Sequence, residues 1–177
     1  KEPRTYLQTQ MKHKMKKDSL YCVRFYVSLA DLSKYATGEL GAWFGKDKIE
    51  QEDAVSLTYE VTVPSVRTKV YNDLFSWQGV CGTYESKGNE EYMLIGNFAG
   101  TDKTVNEKVK RPRGETRPQM FSAYYYIDNV EVTPVKNRMS CSCEQLKDAE
   151  SEYIFSRKGV IPPGSKPAER VDMLVFY

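Results

Sequence analysis

YCVRFYVSL, residues 21–29, places Tyr21, Val23, Phe25, Val27 and Leu29 on one side of an extended chain and Cys22, Arg24, Tyr26 and Ser28 on the other. Successive side chains of a strand point to opposite faces, so this alternation predicts a strand with one face in a core. The same reading extends outward along the chain. Residues 5–11 (TYLQTQM), 40–44 (LGAWF), 54–63 (AVSLTYEVTV), 74–84 (LFSWQGVCGTY), 91–98 (EYMLIGNF) and 123–132 (AYYYIDNVEV) read as strands, separated by stretches rich in Gly, Asn, Asp, Lys or Pro. Short strands with turn signals between them predict an all-β sandwich or jelly roll.

Two stretches approach a helical pattern. Residues 29–37 suggest a turn around LADLSKYAT, and residues 143–154 offer Leu146 and Ile154 as sparse apolar points. Neither can carry a helical layer. Residues 100–119 (GTDKTVNEKVKRPRGETRPQ) lack an apolar period and read as a long loop between core strands. After Val135 the composition changes, and Pro162, Pro163 and Pro167 favour extended backbone. The boundary is expected near Pro134: a sandwich over residues 1–134, then an extended Cys- and Pro-containing linker or tail over 135–177 leading towards a further domain. The final VDMLVFY, residues 171–177, is a short strand-like segment that fits pairing with the sandwich or the opening of that next domain.

With 177 residues the chain can bury one sizeable core. Hydrophobic residues at 40% argue against disorder, and thirteen Tyr favour strands and aromatic sheet faces. The 26 basic and 24 acidic residues are too evenly balanced for a nucleic-acid binder. No apolar run approaches the ~18 residues of a membrane-spanning helix. The first ten residues lack a signal-peptide core, so export would require a signal already removed.

Cys22, Cys81, Cys141 and Cys143 fit disulfides in an oxidising compartment. Cys141 and Cys143 flank one serine, a spacing strained for a mutual bridge and short for paired zinc ligands. Cys22 and Cys81 lie on expected strands and could pair if those strands are neighbours; buried free thiols fit equally well. His13, the sole histidine, leaves little material for a Cys/His zinc cluster.

Catalytic groups do not assemble in the sequence. A hydrolase needs a nucleophile, base and charge stabiliser, or two carboxylates across a bond. Here His13 sits in a basic turn (KHKMKK), and there is neither a Gly-x-Ser-x-Gly elbow nor a phosphate-cradling glycine loop. Glu90-Glu91 and Glu52-Asp53 are adjacent acids, which point apart in a strand and are solvated in a loop. A non-enzymatic role is expected.

The stretch from Tyr6 to Phe44 (YLQTQM…LYCVRFYVSLADLSKYATGELGAWF), with SWQGVCGTY at 76–84, EYMLIGNF at 91–98 and YYYIDNVEVTP at 124–134, resembles the amino-terminal domain that precedes outer membrane protein A-like (OmpA-like) domains in Bacteroidetes envelope proteins. The matches run in the same order over most of residues 5–134, and SCSC at 140–143 resembles the approach to such a domain. The resemblance implies a galactose-binding-like jelly roll related to carbohydrate-binding modules. It also implies an outer-membrane-associated setting in the cell envelope, periplasmic or cell-surface. Family members have at least one further strand ahead of the YLQTQ segment, which implies completion from elsewhere or a piece of a larger protein. Peptidoglycan is implied only through a domain outside these residues.

Two functions follow as expectations: a structural or protein-interaction module with an envelope protein partner, and a carbohydrate-binding module for a cell-surface or environmental glycan. Sugar binding needs an exposed ring beside hydrogen-bonding groups, and Arg24, Tyr26, Trp43, Tyr124 and Tyr126 are the candidates. Against this, Trp43 in LGAWF and Trp77 in LFSWQG suit core filling, and alternating tyrosines commonly cover a sheet face. In related jelly rolls the aspartate matching Asp128 can join a structural calcium site, but calcium wants six to eight oxygens and Asn129 replaces a second acid. A local hydrogen-bonding role for Asp128 is the simpler expectation, and no other cofactor is expected. Lys108, Lys110, Arg111 and Arg113 in the long loop could dock an acidic partner or a polyanionic glycan, or simply keep the loop solvated.

Overall fold

The computed structural model describes residues 4–50, 56, 57, 59, 63, 70–100 and 102–143. Eight strands account for the regular structure: β1 (Leu7–Gln10), β2 (Leu20–Leu29), β3 (Tyr35–Thr37), β4 (Leu40–Gly45), β5 (Gln78–Glu85), β6 (Tyr92–Asn97), β7 (Asn106–Lys108) and β8 (Tyr125–Val135). One 3-10 turn follows at Arg138–Ser140, and no α-helix forms among the described residues. β1, β6 and β4 make one antiparallel sheet, and β5, β2 and β8 make a second. β3 and β7 form a separate, short antiparallel pair.

The alternation of β2 decides the packing. Val23, Phe25, Val27 and Leu29 are completely buried. Val23, Phe25 and Val27 meet Val80 and Tyr84 of β5 and Leu40, Ala42, Phe44, Met93 and Ile95 of the opposite sheet. The chain is thus an all-β protein in which two antiparallel sheets face each other across one core. Removing a phenylalanine ring from water contributes roughly 1.5–3 kcal/mol, so the inner face of β2 is a principal source of stability. Leu29 joins Ala36 and Leu74 in a smaller cluster beside β3.

Several boundaries differ from expectation, each for a local reason. The strand expected from residue 74 begins at Gln78, because the Asp73 carboxylate accepts from the backbone N–H of Phe75 (2.7 Å) and of Ser76 (3.0 Å) and folds 73–76 into a bend. Residues 29–37 end in β3, and the long loop contributes β7 to pair with it, Ala36 facing Glu107. Three-residue strands carry too little pattern to be read in advance. The segment 54–63 lies largely outside the described residues; within it, buried Val63 bridges to Ala42, whose N–H donates to the Val63 carbonyl at 2.7 Å. Residues 144–177, with VDMLVFY, lie outside them altogether.

β8 continues to Val135, and two disulfides, Cys22–Cys141 and Cys81–Cys143, then fasten the following residues to the sandwich. Cys22 and Cys81 do lie on neighbouring strands, but each bonds to a cysteine beyond β8 and not to the other. No cysteine is free.

Candidate functional site

On β2, Cys22, Arg24, Tyr26 and Ser28 share the face turned away from the core, and the strand's two neighbours decide what stands beside them. Arg24 pairs with Cys81 of β5 and Glu131 of β8, Tyr26 with Gly79 and Asp128, and Ser28 with Tyr126. Directly paired residues of an antiparallel ladder lie on the same side. Arg24, Tyr26, Tyr126 and Asp128 therefore meet on one sheet surface. Tyr124, just before β8, has half of its surface exposed.

One irregularity makes this arrangement possible. Between Arg24↔Glu131 and Tyr26↔Asp128, β8 advances three residues while β2 advances two, a β-bulge. Without the extra residue Asp128 and Glu131 would point to opposite faces; with it both point outward, while Ile127 and Val132 both pack on the core. Asn129, in the bulge, has φ +49°, a conformation asparagine adopts more readily than most residues. The Asp128 carboxylate accepts from the Asn129 N–H at 2.7 Å, holding the bulge. Glu131 accepts from both Nε and Nη2 of Arg24 at 2.5 Å, in a pair whose two side chains are over 40% exposed.

Trp43 belongs elsewhere. It lies on the outer side of the other sheet, stacked on Tyr59 with ring centroids 4.4 Å apart. A Cβ at Gly45 would collide with the Trp43 ring, so glycine is what allows the indole to lie flat along β4. Trp43 also lines a cleft of about 270 Å³ with Phe44, Lys46, Tyr84, Lys87 and Glu90. Its floor is built for structure. The buried Glu90 carboxylate accepts from Tyr84 Oη (2.7 Å), Ser86 Oγ (2.6 Å), Lys87 N–H (2.7 Å) and Gly88 N–H (3.0 Å). Burial pushes Glu90 up, but the hydrogen bonds from Ser86, Tyr84 and the backbone outweigh it and hold the carboxyl below its ordinary value. Burial and the donated bond to Glu90 push the Tyr84 phenol upward.

Sequence reasoning named Tyr124 and Tyr126 but passed over Met120, Phe121 and Val130, which extend an exposed apolar surface into and along β8. Eight large hydrophobic side chains are exposed among the described residues, and five of them, Met120, Phe121, Tyr124, Tyr126 and Val130, fall within eleven consecutive positions. Phe121, 79% exposed, carries the Lys34 ammonium 3.7 Å from its ring centre. The signal was present as MFSAYYY, but alternation alone does not tell which ring faces water. Of the basic loop, Lys108 falls in β7 and Lys110, Arg111 and Arg113 just after it, next to the start of this surface: Val109 N–H donates to the Lys34 carbonyl, and Lys34 N–H donates to the Met120 carbonyl.

The class defined by these features is a disulfide-fastened antiparallel β-sandwich with a bulged, tyrosine-bearing outer sheet face. Comparison with protein-family models, with characterised proteins and with solved structures finds no match to this chain.

Proposed function

We propose that this chain is a non-catalytic interaction module of an outer-membrane-associated envelope protein, binding a protein partner through β8 and the segment leading into it. The observation that carries the reading is the concentration of exposed Met120, Phe121, Tyr124, Tyr126 and Val130 along one stretch. Contiguous exposed apolar groups beside polar ones mark interaction surfaces, and Tyr, Phe, Met and Arg are the residues that protein interfaces favour. Arg24, Glu131 and Asp128 supply polar groups on the adjoining sheet face. Two disulfides fit an oxidising compartment, which supports the envelope assignment. The resemblance of residues 5–134 to domains preceding OmpA-like domains points the same way.

The test is photocrosslinking in the native cell from position 121 or 126, with position 87, beside the Trp43 cleft, as the control. One recurrent protein adduct from 121 and 126, missing from 87 and competed by purified unlabelled chain, is the expected result. Equal, diffuse adducts from all three positions would overturn it. A second reading, glycan binding by the same face, draws on Tyr26 standing opposite Gly79, which leaves its ring room beside Asp128 and Arg24. A glycan array that retains the wild-type chain but not Tyr26→Ala would favour that reading over the first.

A further inference from the structure

The two disulfides touch each other. Cys141 Sγ, bonded to Cys22, lies 3.8 Å from Cys81 Sγ of the other bridge and 3.6 Å from Cys143 Sγ. The sulfurs of Cys22, Cys81 and Cys141 all lie within 4.8 Å of one another. Three chain segments supply this cluster. Cys22 and Cys81 are diagonal neighbours on the outer face of β2 and β5, and the Cys-Ser-Cys segment descends on them after the 3-10 turn. Cys22 and Cys141 are each less than a tenth exposed.

Four thiolates around zinc sit at about 2.3 Å from the metal, which places tetrahedral sulfurs about 3.8 Å apart. Two contacts between the bridges, Cys141 with Cys81 and Cys141 with Cys143, already have about that spacing. The sequence spacing of Cys141 and Cys143 alone is short for a zinc knuckle, but the sheet brings two further ligands to the same point.

We propose that these four cysteines form a two-state site: a pair of disulfides when oxidised, and a tetrathiolate site for Zn²⁺ when reduced. A dithiol delivers two electrons and two protons to each bridge and leaves as its own disulfide. The four thiols then lose their protons to solvent as their sulfurs bind the metal. Soft sulfur ligands in tetrahedral array select zinc over harder divalent cations. The site is independent of the β8 surface, so either proposal can fail without the other.

The test uses the full chain, reduced anaerobically with a phosphine, freed of reductant and titrated with Co²⁺ followed by Zn²⁺. One Co²⁺ per chain is expected, with the intense visible bands and sulfur charge transfer of a tetrahedral thiolate centre, bleached by Zn²⁺ and missing from the oxidised chain. Replacing a ligand outright should cost at least as much as disturbing its outer shell, so Cys22→Ser, Cys81→Ser and Cys143→Ser should each weaken Zn²⁺ binding by about 100-fold or more. If the reduced chain unfolds, Zn²⁺ should restore the strand signal in circular dichroism. Absence of thiolate bands with no such recovery overturns the proposal. Affinity unchanged by Cys22→Ser or Cys81→Ser overturns it too, because binding would then rest on the Cys-Ser-Cys segment alone.

Discussion

Glu90 illustrates how a single buried charge can organise a turn. Four donors converge on its carboxylate, two of them backbone N–H groups of the turn between β5 and β6, where Gly88 takes φ +99°. Glutamine can replace only part of this acceptor set, so Glu90→Gln should destabilise the protein by about 1–3 kcal/mol, measured by urea unfolding at neutral pH. Because its folded-state pKa lies below the unfolded value near 4.5, the contribution of Glu90 is fully present above that value. It is lost as pH falls below about 4.5 and through the depressed folded pKa, where the unfolded state takes up the proton first. Acid unfolding of Glu90→Gln should therefore be less steep than that of the wild type over that range. An identical slope would show that Glu90 is not ionised in the fold.

At the scale of elements, β2 and β8 are adjacent strands with different duties. Phe25, fully buried on β2, is expected to cost about 3–5 kcal/mol as alanine, seen as a lower denaturant midpoint with an unchanged slope. Tyr126 on β8 is 44% exposed, and Tyr126→Ala should cost less than about 1 kcal/mol while reducing partner crosslinking from position 121. β2 was legible in the sequence because residues 21–29 alternate without interruption and Val23, Phe25, Val27 and Leu29 of one face are wholly in the core. In β8 the tyrosines were legible as site candidates, but the bulge that aims Asp128 and Glu131 to one side was not. It depends on the register against β2, and Asn129 alone does not reveal a positive φ. β3 and β7 escaped notice because their pairing joins segments some seventy positions apart with three residues each. Arg24, Tyr26, Tyr126 and Asp128 come together as a consequence of the order β5-β2-β8, whereas Trp43 is carried to the other sheet by β4.

For the whole molecule, the bridges close loops of 119 and 62 residues. On the chain-entropy account either loop closure alone stabilises by about 4–5 kcal/mol, because the unfolded chain loses much of its freedom. In a protein of this size the loss of one bridge should lower the melting temperature by roughly 8–20 °C. Scanning calorimetry of a Cys22→Ser/Cys141→Ser chain, under non-reducing conditions and with chelator present, measures this directly. No change in melting temperature would mean that the bridge adds nothing to the fold. Sequence spacing could not say which cysteines pair, since that is fixed by which strands are neighbours and by where the chain turns after Val135.

The attachment of Cys141 and Cys143 also governs how the molecule would bear load. Tension applied to the chain beyond residue 143 enters the edge strand β5 through Cys81 and the central strand β2 through Cys22, by covalent bonds. β8 is bypassed, so its ladder to β2 is not peeled open one hydrogen bond at a time, and the tyrosine-bearing surface keeps its shape while the tail is pulled.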